Sequence, residues 1–384
     1  MRRYLDQILV SLMLSCNLKA TPQPIVDRAP TTIADTQAGK ATAKPAPTSI
    51  SRPTATGLTT ELVADGLQLP VNLAFAPDGR LFLTEVSRGA IRVIEHGQLV
   101  PEPVALLDVA NDGEQGLLGM SLDPSFNSNH YLYVFYSEPR DGKGWRNRVV
   151  RLTESSNRAA EPRVVLDDLP INNHFHNGSH NGGRLGFGPD GKLFVTIGDL
   201  GQGLTARDMK TLAGKLLRVN PDGSIPADNP FTGSPVYALG LRNSYGLTFH
   251  PQSGVPYLTD NGPDGHDEVN RIVQGGNYGS PEVNGIRHNP RFMDPIWESQ
   301  AERGGIAGIA FYTGSLFPQF QNDLLFCTFT SGRLTRLRLG GSQLDQVLAE
   351  ETLSNQCNLD VISGLDGAVY FTSINQVLRL IPGS

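Results

Sequence analysis

The chain has 384 residues, enough for one large domain or for two to three ordinary ones. Its 32 Lys+Arg against 38 Asp+Glu give a net charge of -6, so no global basic field gathers phosphates, and nucleic acid is not expected as a partner. Glycine, at 42 of 384 residues, exceeds its usual share of ~7%, and charged residues, at 18%, fall below the usual ~25%. This balance favours a turn-rich all-β chain.

The N-terminus is typical of an export signal. Arg2 and Arg3 precede an apolar run over residues 8–14, which is too short to span a bilayer as a helix and ends in a serine followed by Cys16. Because a small residue before such a cysteine resembles a bacterial lipoprotein signal, residues 1–16 are predicted to be a signal peptide with Cys16 as the lipid anchor. Plain secretion is the alternative. The protein is therefore expected to be exported, as a periplasmic protein or as a lipoprotein that meets the membrane only through its anchor.

Residues 17–57 are rich in Thr, Ala and Pro and hold too few large apolar side chains to build a core. They are predicted to form a disordered linker between the anchor and a folded domain. Two cysteines, Cys327 and Cys357, remain beyond it. In an oxidising compartment they either pair or stay as two buried thiols, and the sequence leaves both alternatives open.

One pattern recurs six times after residue 57: an apolar strand start, a turn rich in Pro, Asp and Gly, and an alternating apolar strand. The copies begin at Asn72 (NLAFAPDGRLFLTE), Gly119, Arg184, Gly246, Ile309 and Asp360. Proline presets φ, aspartate caps the turn and glycine accepts positive φ, so each copy predicts a hairpin.

The copies start roughly 45 to 65 residues apart, close to the length of a four-stranded propeller blade. We therefore predict that residues 58–384 form one all-β domain, a six-bladed β-propeller. A parallel α/β fold is disfavoured, since no long helical periodicity separates the strands.

Ligands of propellers usually bind at one mouth of the channel, on loops between blades. One such loop, NNHFHNGSHNGGRL, places His174, His176 and His180 within seven residues. Their spacing permits a zinc site, but one imidazole beside the reacting proton is enough for general base catalysis. His180, nearest to the following strand, is predicted to be that base. His174 and His176 are predicted to be lining or solvated groups.

Two further loops carry polar candidates. In ALGLRNSYGL, Arg242 and Asn243 follow an apolar segment, so they are placed to direct a guanidinium and an amide into a pocket. Arginine offers a planar fork for carboxylates or a developing oxyanion, although a structural salt bridge is the alternative role. Glu114, in GEQGLLG, is either a polar pocket group or a turn cap.

The loop over residues 259–281 is the candidate metal site. Asp264, Asp267 and Glu268 lie close together among glycines. Hard oxygen ligands in a flexible loop suit Ca²⁺, and the carbonyls of the same loop add to them. The spacing is not that of an EF-hand, so a solvated acidic turn is the alternative.

Several of these motifs match one known family in order. GEQGLLGMSLDP, HNGGRLGFGPDGKLFVTIGD, GKLLRVNPDGSIPADNPF, LGLRNSYGLTFHPQSG and DGHDEVNRIVQGGNYGSP together resemble the soluble PQQ-dependent sugar dehydrogenases, the glucose/sorbosone dehydrogenase family. The resemblance covers about residues 62–375. It implies a six-bladed propeller, which agrees with the number of repeats.

The resemblance also implies roles for individual residues. His180 takes the hydroxyl proton of an aldose while hydride passes to the quinone, and Arg242 and Asn243 lie against the PQQ cofactor. Glu114 reaches the same pocket. In this arrangement Ca²⁺ polarises the orthoquinone and arginine stabilises the developing oxyanion.

Two calcium ions are implied in the same way. The carbonyls of Gly262 and Pro263 hold the ion that binds the cofactor. Asp267, Glu268 and Tyr278 occupy the positions that bind a second ion.

This chain departs from the family at the basic residues that clamp the three carboxylates of PQQ. Residues 355–364 (NQCNLDVISG) hold no basic residue, and Cys357 and Leu359 stand about where an Arg-x-Arg pair is usual. Each lost charge-assisted bond costs about 1.5–3 kcal/mol. Arg303 and Arg333 are the candidates to compensate.

The leading hypothesis is a quinoprotein that oxidises aldose sugars at the anomeric hydroxyl and passes electrons to an external acceptor. A second is a non-catalytic, calcium-stabilised propeller that binds a glycan or a protein. A third is calcium-dependent lactone hydrolysis without a quinone.

Overall fold

A computed structural model describes residues 52–53, 57–110, 112–140, 144–172, 179–299 and 304–383. The predicted signal peptide, most of the linker, His174, His176 and Arg303 lie outside these residues, so their assignments stay predictions. Within them no helix is long and apolar enough to cross a membrane.

The described chain is almost entirely β-strand, in six antiparallel sheets. The first strands are β1 (Arg52–Pro53) and β2 (Leu58–Ala64). Blade 1 holds β3 (Pro70–Phe75), β4 (Leu81–Glu85), β5 (Ala90–Glu95), β6 (Gln98–Leu99) and β7 (Ala105–Leu106). Blade 2 holds β8 (Leu117–Leu122), the short helix α1 (Phe126–Asn129), β9 (Tyr131–Arg140), β10 (Gly144–Ser155) and β11 (Arg158–Leu169).

The remaining blades follow in chain order. Blade 3 holds β12 (Gly182–Phe187), β13 (Leu193–Ile197), β14 (Lys215–Val219) and β15 (Val236–Leu239). Blade 4 holds β16 (Gly246–Phe249), β17 (Pro256–Asp260), β18 (Glu268–Arg271) and β19 (Trp297–Glu298). Blade 5 holds β20 (Ile306–Phe311), β21 (Leu324–Thr328), β22 (Leu334–Gly340) and β23 (Gln346–Ser354). Blade 6 holds β24 (Val361–Ser363), β25 (Val369–Thr372) and β26 (Val377–Pro382), and β2 and β1 complete it. Three 3-10 turns cover Gly203–Arg207, Pro263–Gly265 and Pro318–Phe320.

Each of the six predicted hairpins is the first strand pair of a blade. The turn of the first hairpin, between β3 and β4, shows how the sequence specifies this structure. Gly79, at φ 95°, donates its N–H to the carbonyl of Ala76, and Asp78 accepts the N–H of Arg80. The six-bladed propeller predicted from the repeats is therefore confirmed.

The first strands of the blades contact one another in a closed ring, which makes them the lining of the central channel. The described residues form six clusters of buried apolar side chains. Five of them each lie between two neighbouring blades, and the sixth joins blades 2 and 3 to channel residues of blades 1, 5 and 6. Between blades 1 and 2, for example, Phe82 and Val93 pack with Met120 and Val134. Burying one such side chain contributes about 1.5–3 kcal/mol, so both faces of each sheet add to stability.

Two long-range connections close the ring at blade 6. The early strand β2 pairs with β26, with Thr60 opposite Leu380, and so supplies the outer part of the last sheet. Cys327 in β21 forms a disulfide with Cys357 in the loop before β24, across 30 residues of chain. Of the two alternatives for these cysteines, the structure has the bonded one.

Lys215, the first residue of β14, is a fully buried lysine. Its Nζ donates to the carbonyls of Thr205, Ala206 and Ala213 at 2.9, 2.9 and 2.6 Å. Burial lowers the pKa of Lys215 to about 8. The ammonium group of Lys215 therefore fixes the loop between β13 and β14, although its burial carries an unfavourable free energy of desolvation.

We expect Lys215 to make the free energy of unfolding rise with pH between about 8 and the ~10.4 of an unfolded lysine. In that window the unfolded chain binds a proton that the folded chain has released, so higher pH favours the fold by up to about 1.4 kcal/mol per pH unit. Urea unfolding at several pH values from 8 upward should show a flatter slope for Lys215→Met. Lys192→Met, which removes a half-buried amine bonded to Asn220, is the control and should keep the slope. An unchanged slope in Lys215→Met contradicts the assignment.

Candidate active site

His180 lies where the first strands begin, just before β12, and is paired with Asp199. The two atoms His180 Nδ1 and Asp199 Oδ1 are 2.6 Å apart, and both side chains are buried. Asp199 stands two residues after β13, so the first hairpin of blade 3 brings acid and imidazole together. An imidazole that donates through Nδ1 to a carboxylate keeps Nε2 as a proton acceptor. The pair can therefore act as an oriented general base.

The backbone of His180 adopts a left-handed conformation, with φ 59°, which is uncommon for a residue other than glycine. Its N–H donates to Glu114 Oε2 at 2.5 Å, and its carbonyl accepts the N–H of Leu200 at 3.2 Å. The same carbonyl packs on Gly198, where an added Cβ would lie 2.0 Å from it. The surrounding chain thus fixes the direction of the imidazole, and Gly198 has to be glycine.

Glu114 links the loops of three blades. Besides the N–H of His180, its Oε2 accepts Asn243 Nδ2 at 3.2 Å. Tyr245 lies beside the same carboxylate, and burial, together with the charge of Glu114, raises the pKa of Tyr245 well above its usual value. The other oxygen, Glu114 Oε1, and the amide oxygen of Asn243 are buried without a partner among the described residues. Glu114 is placed as a pocket group.

The buried carboxylate of Asp260 fixes the backbone of Arg242 and Asn243. Asp260, the last residue of β17, accepts the N–H groups of Arg242 and Asn243 at 2.8 and 2.6 Å, and the Ser244 hydroxyl at 3.1 Å. Burial raises the pKa of Asp260 to about 6. The guanidinium of Arg242 donates to the carbonyl of Asn261 at 2.7 Å. Asp260 therefore fixes the predicted cofactor-facing segment to blade 4.

Asp267 organises the predicted calcium loop. Its two carboxylate oxygens accept the N–H groups of Gly262, Gly304 and Gly305 at 3.2, 3.3 and 2.8 Å. Burial raises the pKa of Asp267 above its usual range. At Gly262 an added Cβ would lie 1.8 Å from the carbonyl of His266, so only glycine fits where this loop turns back. The carbonyls of Gly262 and Pro263 are thereby held at a fixed place beside Arg242.

The three proposed ligands of a second calcium, Asp267, Glu268 and Tyr278, each make hydrogen bonds within the protein. Glu268 accepts the N–H of Gly285 and the amide of Asn270, while the Tyr278 hydroxyl bonds only to backbone groups at the end of β18 and just after it. Burial raises the pKa of Glu268 to about 8. Within the described ranges, no three His, Cys, Asp or Glu side chains form a metal-binding group. The roles of Asp267, Glu268 and Tyr278 as ligands stay predictions.

A cavity in the channel meets this network at Glu114, while the described lining does not include His180, Arg242 or Asn243. Glu114 and Asn261 line it with apolar side chains that include Leu69, Val86, Leu118, Phe329 and Leu359. The amide oxygen of Asn261 is a third buried acceptor with no partner in the part of the chain that is described.

The chemistry of this lining, though not its volume of about 60 Å³, fits the ring and the metal of a PQQ–calcium group. Apolar side chains suit an aromatic ring system, and the oxygens of Glu114 and Asn261 suit Ca²⁺.

The floor of this cavity is an ion pair that crosses the channel. Arg184, from β12 in blade 3, donates to both oxygens of Asp360, which precedes β24 in blade 6, at 3.2 and 2.8 Å. Asp360 also accepts the N–H of Leu73 in blade 1 at 2.7 Å, and Arg184 Nε donates to the carbonyl of Tyr245. Burial raises the pKa of Asp360 above its usual range, although Arg184 opposes this. Blades on opposite sides of the ring are thus joined through two buried charges.

Residues 355–364, which lack the basic pair that is usual in the family, lie against the cavity at Leu359. Leu359 lines it, and Cys357 is fixed by the disulfide and by its N–H, which donates to the carbonyl of Gly332. Arg333, the proposed compensating cation, stands just before β22, where its carbonyl accepts the N–H of Thr328. It lies on the same turn as Phe329, which lines the cavity, and stays a candidate carboxylate partner.

The sequence did not single out three buried acids that support the site, namely Asp199, Asp260 and Asp360. Asp260 is the last residue of the second strand of its hairpin, in the segment LTD, and Asp199 stands two residues beyond the second strand of its own, in the segment TIGD. The repeats could have pointed to Asp199 and Asp260, because the second strand of each hairpin ends at the mouth of the channel.

Comparison with known proteins agrees with this fold and site. The sequence model of the family described as Glucose / Sorbosone dehydrogenase matches residues 67–381. The chain is 31% identical over 346 residues to the aldose sugar dehydrogenase of Escherichia coli K12, which covers 84% of this chain and 92% of that protein.

Solved structures show the same likeness. A Thermus thermophilus oxidoreductase assigned as a glucose dehydrogenase superposes with a TM-score of 0.76 at 38% identity, over 85% of this chain and 100% of that one. The PQQ-bound aldose sugar dehydrogenase of Streptomyces coelicolor superposes with a TM-score of 0.72 at 27% identity, over 86% and 99% of the two chains. The fold and the site are therefore those of a propeller of the sugar dehydrogenase type. The chain belongs to the glucose/sorbosone dehydrogenase family.

Proposed function

We propose that the protein is a quinoprotein that oxidises aldose sugars at the anomeric hydroxyl with PQQ and Ca²⁺ and passes the electrons to an external acceptor. The observation that carries the proposal is the His180–Asp199 pair, 2.6 Å apart, which Glu114 links to a cavity. Two oxygens of its lining residues, Glu114 Oε1 and Asn261 Oδ1, have no hydrogen-bond partner among the described residues. The family and a PQQ-bound structural relative support it.

The side chains of the site have separate roles in the proposed reaction. His180 Nε2 accepts the proton of the anomeric hydroxyl, because Nδ1 is turned to Asp199. Glu114 fixes the backbone of His180, and its Oε1, which has no hydrogen-bond partner in the described part of the chain, is available to a sugar hydroxyl. Asn243 and Arg242, both anchored on Asp260, provide donors for oxygen atoms that gain charge.

PQQ, when bound, would supply the acceptor for the hydride that leaves the anomeric carbon. The groups that would hold the cofactor are Arg242, Asn243 and Arg333, with the carbonyls of Gly262 and Pro263 for its calcium. Phe329 and Leu359 line the cavity with apolar side chains, which would limit the water around a bound ring system.

Titration of purified apoprotein with PQQ in the presence of Ca²⁺ tests this proposal. We expect a change in the PQQ absorption spectrum and dye reduction with a panel of aldoses. Neither signal would appear if the function were wrong. Hydrolysis of lactones without quinone would instead identify a calcium-dependent lactonase.

One observation favours a second candidate, a non-catalytic propeller that binds a glycan or a protein. The segment over residues 355–364 has no cation, and Leu359 lines the cavity at the expected place of the clamp. Thermal stabilisation by Ca²⁺ without binding of PQQ would support this candidate.

A further inference from the structure

The Cys327–Cys357 disulfide lies next to the channel cavity. Both cysteines are fully buried. Phe329 and Leu359, two apolar residues that line the cavity, each stand two positions after one of the cysteines. We call this pair of side chains the apolar wall. The disulfide therefore joins the two chain segments that carry the wall, which are the turn between β21 and β22 and the segment between β23 and β24.

Backbone contacts hold the same two segments together. The Cys357 N–H donates to the carbonyl of Gly332, and Asn358 Nδ2 donates to the carbonyl of Phe329, both at 2.6 Å. At Gly332 an added Cβ would lie 2.6 Å from the carbonyl of Asn355, so no side chain fits between the segments. The disulfide thus adds a covalent bond where the two segments already touch.

The segment between β23 and β24 is fixed again just beyond Leu359. Asp360 accepts a hydrogen bond from Arg184 Nη2 at 2.8 Å, and the Leu359 carbonyl accepts the N–H of Gly308 at 2.7 Å. Leu359 therefore lies between two fixed points, the disulfide at Cys357 and the ion pair at Asp360. Its side chain has little freedom to leave the cavity.

An apolar wall has to be held more closely in place than a charged group. Coulomb attraction falls slowly with distance, so a flexible cation can follow a ligand carboxylate. Dispersion attraction is short-ranged, and a gap of about 0.5–1 Å already loses a quarter to a half of it. Cys357 and Leu359 stand about where the family resemblance implies a basic pair. A covalent bond at this place therefore offsets the loss of a long-range attraction.

We propose that the Cys327–Cys357 disulfide positions Phe329 and Leu359 for contact with the edge of a bound ring system. The two cysteines are positioning residues, because they hold the segments of the wall and do not line the cavity themselves. The contact with a ring system rests on the PQQ binding proposed above, whereas the fixed place of the wall does not depend on it.

Hydrogen–deuterium exchange of the full chain without PQQ tests the fixed place of the wall. In the double variant Cys327→Ala with Cys357→Ala, peptides that cover residues 329–333 and 355–360 should exchange about 10- to 100-fold faster, because these segments can then open locally. Phe126→Ala removes a buried ring from α1, outside the cavity lining, and is the control for a general loss of stability. It should lower the unfolding temperature but leave both peptides protected.

Asn358→Ala separates the effect of the disulfide from that of the hydrogen bonds around it. This change removes the bond to the Phe329 carbonyl and keeps the disulfide, so exchange in the two peptides should rise less than about 3-fold. The same variant decides the question if the double cysteine variant does not fold. A rise of about 10-fold or more in Asn358→Ala would show that hydrogen bonds, rather than the disulfide, hold the wall.

Binding of PQQ with Ca²⁺, followed by its absorption spectrum well below the unfolding temperatures, tests the contact with a ring system. The double cysteine variant should bind PQQ about 3- to 10-fold more weakly, and Phe126→Ala should bind it as the unaltered protein does. If the unaltered protein binds no PQQ, the proposed function fails and the exchange experiment alone decides whether the disulfide positions the wall. Unchanged exchange in the double cysteine variant, or equal changes of exchange or of PQQ affinity in it and in Phe126→Ala, would overturn the proposal.

Discussion

Replacing His180 with glutamine is expected to lower kcat for aldose oxidation by about 10²- to 10⁴-fold, the usual contribution of a general base. Glutamine keeps a polar group of similar reach but takes up no proton near neutral pH. The binding of Ca²⁺ should hardly change, because the predicted calcium loop belongs to blade 4 and contacts other residues. Steady-state kinetics with saturating PQQ and thermal unfolding with and without Ca²⁺ check both parts.

Asp199→Asn is the companion variant. Asp199 acts as a positioning residue, because it touches the imidazole and not the sugar. Its amide can present an N–H to Nδ1 and so favour the wrong tautomer, which should lower kcat and shift its pH profile, with KM less affected. If His180→Gln retained the turnover of the unaltered protein, His180 would not be the base.

The second large effect is expected on stability. Arg184→Met should lower the free energy of unfolding by about 3–5 kcal/mol, because it leaves the buried carboxylate of Asp360 without its cation. Asp360→Asn should be destabilising in the same way. Urea unfolding measures both changes.

The double variant tells an ion pair from two separate packing defects. If the charges interact across the channel, Arg184→Met with Asp360→Asn should cost less than the sum of the single changes. Arg379→Met, which removes partly exposed pairs with Glu61 and Asp366 on blade 6, serves as the control and should cost less than about 1 kcal/mol. Strictly additive losses would contradict the interaction.

The sequence predicted the inner half of each blade well and the outer half poorly, for a physical reason. The first hairpins are buried between neighbouring blades, so their turns and their apolar alternation are both distinct. An outer strand such as β11 is largely exposed and has no such alternation. The contribution of β2 to blade 6 depends on a pairing between opposite ends of the domain, which local pattern does not carry.

The sequence likewise predicted only some residues of the candidate site. His180, Glu114 and Asn243 were found because they stand in motifs at the starts of inner strands, and the structure brings them into one network. Asp199 and Asp260 were missed, since a lone acid after a strand is indistinguishable from a turn cap. Tyr278 matches the family by its position in the chain, and its hydroxyl bonds to the backbone around the end of β18, so its role as a ligand stays a prediction.

The pairing of β2 with β26 also bears on how the domain folds. Glu61 and Arg379 meet across 318 positions of chain, so this contact forms only after a very long loop has closed. As the chain is synthesised from its N-terminus, β2 is among the first strands made and its partner among the last. Five blades can pack in succession while β2 waits unpaired, with its edge available to other chains. Ring closure is therefore the step at which aggregation competes most directly with folding.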